Sequence, residues 1–418
     1  MKTVFTRFFS IMALFIAFYT PTTVAHGKFD PTPQLQTAID NYLQVHGAEE
    51  GMSAITLAIN APGLPQITVM SGCKKIPSTS CIPLASNDLY QIGSITKSFI
   101  SVILLQIEAT PNSGFNINDS LSKYFPEYPQ WGAITVKQLL NMTSGIHSFN
   151  DTDTTFWPYF VKHLDHQFSQ RDLVNYVVND PLLFSPGTAW SYSNTNYILA
   201  GMLVEKLTGH SLESEINTRI LKPLDLQNTY YVPNFYPQYT PHINKRMVHG
   251  YVNTSDLMPF IPLGTDATWW SLSEAGAAGA MISTPGDVVK WAQALYTSTT
   301  LLPPSQRQEL ETLVSTNTGQ PISAPTSTDE GYGLGIGADT GPGGDTMYDY
   351  VGGMPGYLAF YIYYPNENIS ISVTVNSISD NWSEGDLINQ VYEIITGSTT
   401  LNALANKKFT SLVDTNIK

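Results

Sequence analysis

Basic residues are scarce in this chain. Its 418 residues contain 20 Lys and Arg against 34 Asp and Glu, which gives a formal net charge of −14. Nucleic acids and other polyanions are bound by clustered Lys and Arg, so the sequence argues against a partner of that kind. Charged residues of both signs make up only 13% of the chain, and this low share predicts a large packed core.

Cysteine is rarer still, because the chain has only Cys73 and Cys81. In an exported protein, a pair this close in sequence is expected to form a disulfide that closes the loop 74–80. Two free thiols are the alternative. A metal site on these cysteines is disfavoured, because no histidine lies near them in the sequence.

Long apolar runs are missing beyond the N-terminus, so we expect no stable membrane span in the mature chain. The N-terminus combines a positive start with an apolar run over 8–19 and small residues at 23–25. This pattern is typical of a secretory signal peptide over residues 1–25, cleaved after Ala25. An uncleaved N-terminal anchor is the alternative. We therefore expect an exported protein, either periplasmic or secreted.

Two further absences narrow the chemistry. The chain has no G-x-S-x-G motif, which argues against an α/β-hydrolase with a Ser-His-Asp triad. His163 and His166 resemble a metal-binding pair, but they lie in a polar, loop-like stretch where a solvated pair is expected. We predict neither a metal nor a cofactor.

Strand-like segments occur at both ends of the chain, with helical segments between them. No low-complexity linker separates residues 30 and 397, so we predict one domain over 26–399, followed by a polar tail over 400–418. Strands are predicted over 53–59, 66–70, 332–336, 346–351, 357–363 and 369–375. The expected fold is α+β, an α/β sandwich. Its antiparallel sheet comes from 30–115 and 284–399, is flanked by helices and carries a mostly helical insertion over 116–283.

The stretch around Ser94 is the strongest chemical signal. S-x-x-K occurs at Ser71, Ser94 and Ser120, but only Ser94 lies between a strand-like segment, 88–92, and a long apolar run, 98–107. Residues three apart share one face of a helix. Ser94 and Lys97 would then present a nucleophile and an amine side by side.

Two further motifs supply groups that acyl transfer needs. Tyr192 and Asn194 follow a Pro-Gly turn, where a phenol could exchange a proton with Lys97 and an amide could orient both groups. Gly352 and Gly353 lie at the edge of a predicted strand, where glycine lets a substrate backbone approach closely and leaves an N–H free for an oxyanion hole.

Together these motifs resemble those of class C β-lactamases and D-alanyl-D-alanine carboxypeptidases, within the β-lactamase-related, penicillin-binding-protein-like hydrolases. The resemblance runs from about residue 35 to 397 and includes the stretches 91–99, 139–146, 184–187, 192–194, 222–224 and 283–287. It implies the β-lactamase/transpeptidase-like fold, with Ser94 as nucleophile and Lys97 and Tyr192 as the proton-handling pair. It also implies that Asn194 positions the substrate, and that N–H groups of Ser94 and near Gly353 form the oxyanion hole.

The third motif departs from the family pattern of Lys or His, a small residue and Gly. The aligned residues here are Tyr350, Val351 and Gly352, and we expect Tyr350, Gly352 and Gly353 to contact the substrate. Asp339-Thr340-Gly341 is a competing match, but it lies in a Gly-rich loop without a strand signal. Without the cation, one group suited to a substrate carboxylate is missing.

The substrate is therefore expected to be a small peptide, a β-lactam or an ester. A D-alanyl-D-alanine carboxypeptidase-like peptidase is favoured by the resemblance. An esterase, a weak β-lactamase or a catalytically silent binding protein of the same fold are the alternatives, and the sequence does not indicate an oligomeric state.

Overall fold

The computed structural model describes residues 29–76, 80–151, 155–233, 241–254, 261–379 and 384–397. The predicted signal peptide over 1–25 and the polar tail over 400–418 lie outside these residues. No helix in the described ranges is both long and apolar enough to cross a membrane.

A nine-stranded sheet organises the fold. The strands, in chain order, are β1 Ala54–Asn60, β2 Ile67–Gly72, β3 Tyr90–Gln91, β4 Tyr230–Tyr231, β5 Tyr251–Asn253, β6 Thr265–Asp266, β7 Met281–Ser283, β8 Leu313–Ser315, β9 Pro321–Ile322, β10 Gly331–Tyr332, β11 Gly337–Thr340, β12 Thr346–Met354, β13 Tyr357–Tyr364, β14 Ile369–Val375 and β15 Ser377–Ser379. The large sheet has the order β2-β1-β14-β13-β12-β11-β10-β8-β9, and its neighbouring strands are antiparallel. Strands from the two ends of the chain meet where Ile55 of β1 pairs with Val375 of β14.

Helices cover both faces of this sheet. They are α1 Thr32–His46, α2 Thr96–Ala109, α3 Val136–Leu140, α4 Phe156–Phe160, α5 Gln170–Asn175, α6 Asn194–Thr208, α7 Leu212–Ile216, α8 Pro241–Asn244, α9 Gly276–Gly279, α10 Pro285–Thr297, α11 Pro304–Leu310 and α12 Glu384–Thr396. Helices α1 and α12 share one apolar core with the sheet, in which Leu35 and Ile388 are fully buried. A larger core on the other side contains α2, α6 and α10. The predicted α+β architecture is confirmed.

Two local predictions were wrong. The strand expected over 332–336 ends at Tyr332, because Gly335 has a φ of +76° and the N–H of Gly333 donates to the carbonyl of Ile336 at 2.9 Å. Glycine adopts that φ without steric cost, so the chain turns back there. The segment expected to be a loop around Asp339 is instead strand β11, which pairs with β12.

The middle of the chain is also less purely helical than expected. Short strands β4 to β7 form parts of two small three-stranded sheets. Helix α7 is followed directly by a π-helical turn over Asn217–Leu221. Strand β7 pairs with β3, so this region packs directly beside the segment that leads into Ser94.

The predicted disulfide is present. Cys73 and Cys81 are bonded with a sulfur–sulfur distance of 2.03 Å. Lys74, next to Cys73, forms an ion pair with the buried Asp88, and its carbonyl accepts a hydrogen bond from the N–H of His249. The Lys74 end of the loop is therefore attached both to the segment before β3 and to the segment before β5.

Candidate active site

Ser94 lies where β3 turns into the buried helix α2. A single 3₁₀ turn over Gly93–Ile95 runs directly into α2, in which all but three of 14 residues are buried. Gly93 has a φ of +46°, and a Cβ at this position would lie 2.6 Å from the carbonyl oxygen of Gly353. Glycine is therefore required here both by the backbone conformation and by the close approach of β12.

The structure brings Ser94, Lys97 and Tyr192 into direct contact. Lys97 Nζ lies 2.9 Å from Ser94 Oγ, and the hydroxyl of Tyr192 donates to the same oxygen at 2.8 Å. Lys97 also donates to the carbonyl of Ala278 at 2.8 Å. Its side chain is completely buried, and its Nζ lies 4.8 Å from the centre of the Tyr192 ring.

The other two S-x-x-K matches have a different arrangement. The lysine that follows Ser71 forms an ion pair with Asp88, and the lysine that follows Ser120 forms one with Asp119. Ser120 itself bonds to the hydroxyl of Ser122. Within the described part of the chain, only the match at Ser94 places serine and lysine together.

Burial shifts the pKa values of the two partners of Ser94 in opposite directions. Desolvation lowers the pKa of Lys97 well below its ordinary value, although the nearby carboxyl group of Glu274 opposes the shift. Desolvation raises the pKa of Tyr192, and its hydrogen bond to Ser94 only partly opposes this. A neutral amine and a neutral phenol are therefore the favoured states.

A turn around Met142 holds Tyr192 in place. Met142 has a φ of +64°, and its carbonyl accepts a hydrogen bond from the N–H of Ser191 at 3.1 Å. Its sulfur accepts from the N–H of Ser193 at 3.3 Å. The 139–146 stretch thus fixes both neighbours of the tyrosine.

Asn194 begins α6 and lies at the edge of the same cleft. Its side-chain amide donates to Asn150 Oδ1 at 2.9 Å, and its N–H donates to Ser148 Oγ at 3.0 Å. These contacts fix the amide group so that it can meet a substrate in one orientation.

The third motif lies directly against Ser94. A Cβ at Gly352 would be 1.9 Å from the carbonyl oxygen of Ile92 and 3.0 Å from the backbone nitrogen of Ser94. Gly353 lines the cleft together with Ser94. Of the two matches to the third motif, only the one at Tyr350–Gly352 has this close approach to the serine, and the Asp339 match lies one strand away on β11.

Tyr350 does not line the cleft, although the sequence pointed to it as a substrate-binding residue. Its side chain is completely buried, and its hydroxyl lies 2.5 Å from that of Tyr332. A hydrogen bond with Tyr350 also acts on the phenol of Tyr192, where it opposes the rise in pKa that burial causes. Tyr350 thus lies behind the phenol of Tyr192 instead of facing the substrate.

The cleft in front of Ser94 has a volume of about 50 Å³ and opens to solvent. Its wall is largely apolar, with aromatic and aliphatic side chains from Phe149, Trp157, Met354, Pro355 and Ile378. Its polar groups, besides Ser94, come from Asn150, Asn194, Thr254 and Glu274.

Glu274 and Asn150 were missed by the sequence reasoning. Glu274 is only 4% exposed, and burial raises its pKa to about 8, while the charge of Lys97 opposes this shift. No local motif marks either residue. The one available signal for Glu274 is an acidic side chain just before the small residues that form α9.

The described residues contain no cluster of three or more His, Cys, Asp or Glu that could hold a metal ion. His163 bonds through Nδ1 to the carbonyl of Tyr159.

Comparisons with known proteins agree with this geometry. A family model described as Beta-lactamase matches residues 65–393. Penicillin-binding protein 4* of Bacillus subtilis (strain 168) is 25% identical over 319 residues, covering 75% of this chain and 66% of that protein. The chain thus spans just under two thirds of that relative.

Two solved structures share the fold over nearly their whole length. D-stereospecific amidohydrolase from Streptomyces sp. has a TM-score of 0.71 at 28% identity, covering 88% of this chain and 99% of the other. D-amino acid amidase from Ochrobactrum anthropi SV3, complexed with L-phenylalanine amide, has a TM-score of 0.70 at 25% identity, covering 87% and 99%. Because the family model matches well over half of its residues, the chain belongs to the Beta-lactamase family.

Proposed function

We propose that this protein is an exported serine hydrolase that cleaves amide bonds on the carbonyl side of D-amino-acid residues through an acyl-enzyme on Ser94. The observation that carries this proposal is the pair of contacts at Ser94 Oγ, with Lys97 Nζ at 2.9 Å and the hydroxyl of Tyr192 at 2.8 Å. A nucleophile held between a base and an acid is the arrangement that acyl transfer needs.

The hydrogen bonds support one direction of proton flow. Lys97 donates one N–H to Ala278, which leaves the lone pair of its neutral amine free to accept the proton of Ser94. Ser94 then attacks the carbonyl carbon of the substrate. Tyr192 is a neutral phenol, so it protonates the leaving nitrogen and recovers its proton from Lys97. Positioned proton transfer of this kind contributes about 10²–10⁴-fold to the rate.

Backbone N–H groups at Ser94 and beside Gly353 are suited to stabilise the tetrahedral intermediate. Both residues line the cleft, and Gly352 lets β12 approach the nitrogen of Ser94 closely. One oxyanion donor is worth about 3–4 kcal/mol. Water then hydrolyses the acyl-enzyme.

The cleft favours an amide over a substrate that ends in a carboxylate. Among the described residues that line it, none is Lys, Arg or His, and Glu274 is acidic. The internal segments outside the described residues contain no Lys, Arg or His in their sequence either. A terminal carboxylate is usually held by such a cation. The names of the two structural relatives, an amidohydrolase and an amidase acting on D-configured compounds, support the same choice.

A D-alanyl-D-alanine carboxypeptidase-like peptidase is the second candidate. It is favoured by the similarity to penicillin-binding protein 4*, which covers 75% of this chain. The disulfide between Cys73 and Cys81 supports export in either case, because such bonds persist in oxidising compartments.

One comparison of substrates tests the proposal. Purified protein would be assayed with D-alaninamide, an N-acyl-D-Ala-D-Ala peptide, a β-lactam and a short-chain ester, with Ser94→Ala as control. We expect D-alaninamide to be hydrolysed fastest, and Ser94→Ala to lose both turnover and labelling by a fluorophosphonate. Faster turnover of the D-Ala-D-Ala peptide would favour the second candidate. Undiminished labelling of Ser94→Ala would overturn the assignment of the nucleophile.

A further inference from the structure

Glu274 stands in the cleft without a partner of its own. It ends the 3₁₀ turn Leu272–Glu274, just before α9, whose Ala278 carbonyl holds Lys97. The side chain is 96% buried and still lines the cleft beside Ser94. Within the described part of the chain, its carboxyl group accepts no hydrogen bond, and the only charge that acts on it is that of Lys97.

An isolated buried carboxyl group is expensive to keep. A buried acid normally finds a hydrogen-bond donor or a cation in the folded protein. The lysine is not a sufficient partner, because its Nζ is already committed to Ser94 and Ala278. The carboxyl group of Glu274 therefore has acceptor capacity directed into the cleft.

We infer that Glu274 forms a binding site for the free α-ammonium group of the substrate, so that the preferred substrates are amino-acid amides or peptides cleaved at an unblocked N-terminal residue. This inference rests on the proposed acyl-enzyme function and names its substrate class. The α-amino group is two bonds from the carbonyl carbon that Ser94 attacks. Glu274 and Ser94 line the same cleft, so one bound residue is able to present both groups.

The neighbouring polar groups of the cleft are consistent with an ammonium site at Glu274. Asn150 Oδ1 already accepts hydrogen bonds from Asn194 and from the hydroxyl of Ser148, so both of its lone pairs are in use and the carboxyl group of Glu274 is the acceptor for an ammonium group. A blocked amine, by contrast, would bring an uncharged acyl group to a buried acid. A terminal carboxylate at the same place would bring a second acidic group to Glu274 without a cation to pair with it.

A competing role for Glu274 is to balance the charge on Lys97 after it accepts the serine proton. The two roles differ in what they demand of the substrate. A counter-ion of Lys97 affects every substrate alike, whereas an ammonium site affects only substrates that carry the amine.

Two p-nitroanilides that differ only in the amine separate these roles. D-Alanine p-nitroanilide carries the ammonium group, and propanoyl p-nitroanilide is the same molecule without it. For Glu274→Gln we expect kcat/KM to fall about 10- to 100-fold on the first, the usual effect of losing one charge-assisted hydrogen bond. On the second, compared at a pH above the acidic limb of both profiles, we expect a clearly smaller loss, because Glu274 then acts only through Lys97. An equal loss on both substrates would overturn the inference and assign Glu274 to Lys97 alone.

A binding measurement keeps this test independent of catalysis. In the Ser94→Ala background, calorimetric titration with D-alaninamide and with propanamide would be compared with and without Glu274→Gln. We expect the D-alaninamide affinity to exceed that for propanamide at least 10-fold, and the excess to vanish in the double variant. Equal affinities would reject the ammonium site even if the enzyme is active. Binding of D-alaninamide that depends on Glu274, in a wild-type protein that turns over neither anilide, would reject the hydrolase function and keep the site.

Discussion

The hydroxyls of Tyr332 and Tyr350 lie 2.5 Å apart, behind the phenol of Tyr192. Tyr350 occupies the position where the family pattern has a cation, and its side chain is completely buried. The phenol of Tyr350 interacts by hydrogen bonds with both Tyr332 and Tyr192, so the residue acts on Tyr192 and does not line the cleft.

Removing the hydroxyl of Tyr350 should therefore affect kcat and leave KM unchanged. We expect Tyr350→Phe to lower kcat about 3- to 10-fold, since one hydrogen bond that helps to orient Tyr192 is worth about 1 kcal/mol. Steady-state kinetics on an uncharged amide would measure this. Tyr361→Phe is the matched control, because it removes a buried tyrosine–tyrosine contact, the 3.2 Å pair with Tyr296, away from Ser94. A rise in KM for Tyr350→Phe with kcat unchanged would instead indicate that Tyr350 contacts the substrate.

Local pattern was enough to find the centre of the site. The spacing of Ser94 and Lys97, followed by a long apolar run, indicated a buried helix that presents both groups, and the structure has that helix. Tyr192 was marked by the Pro-Gly turn before it and by the helix after it. These signals span a few residues each, so they can be read without knowledge of the tertiary fold.

Features that depend on packing between distant segments could not be read in this way. Lys97 and Ala278 are 181 positions apart in sequence, and only the packed fold brings the turn ending at Glu274 toward the lysine. The hairpin of β10 and β11 was missed for a related reason. Its turn uses the positive φ of Gly335, while the surrounding residues alternate as a single strand would.

The close approach of β12 to the nucleophile gives a second prediction. In Gly352→Ala the new Cβ would lie 1.9 Å from the carbonyl oxygen of Ile92, so the strand must move away from Ser94. We expect kcat/KM to fall at least about 100-fold, as when one oxyanion donor is lost. Gly343→Ala is the control in the same hairpin, where the nearest atom would be a flexible carboxylate oxygen at 3.4 Å. Full activity in Gly352→Ala would show that this approach is not needed for catalysis.

The disulfide should contribute to stability without affecting the chemistry. It closes a loop with a sequence separation of eight, and neither cysteine lines the cleft. From loop entropy we expect the double variant Cys73→Ser/Cys81→Ser to lose about 2–3 kcal/mol of unfolding free energy. Denaturant titration would measure this, and wild-type protein under reducing conditions should match the variant. A drop in kcat/KM of more than twofold at a temperature where the variant is folded would instead link the loop to the site.

The last prediction concerns the pH dependence of acylation. Burial lowers the pKa of Lys97, whereas Glu274 raises it, and the other groups that face the amine are Ser94, Tyr192, Tyr197 and the carbonyl of Ala278. Only the neutral amine accepts the serine proton, so kcat/KM should fall as the pH drops through the pKa of Lys97. Glu274→Gln removes a carboxyl group whose ionised form favours the ammonium form of Lys97. The pKa of Lys97 then falls further, and the acidic limb of the profile should move to lower pH.

Propanoyl p-nitroanilide is the right substrate for that profile, because it has no amine of its own to titrate. Glu311→Gln serves as the control, since this carboxyl group also has a raised pKa through burial but is influenced by Arg307 and not by Lys97. We expect its acidic limb to coincide with that of the wild type. A limb that stays in place in Glu274→Gln would mean that Glu274 is uncharged over the pH range in which Lys97 titrates. A limb that moves to higher pH would mean that Lys97 does not carry the titration and that the base which activates Ser94 must be sought elsewhere in the cleft.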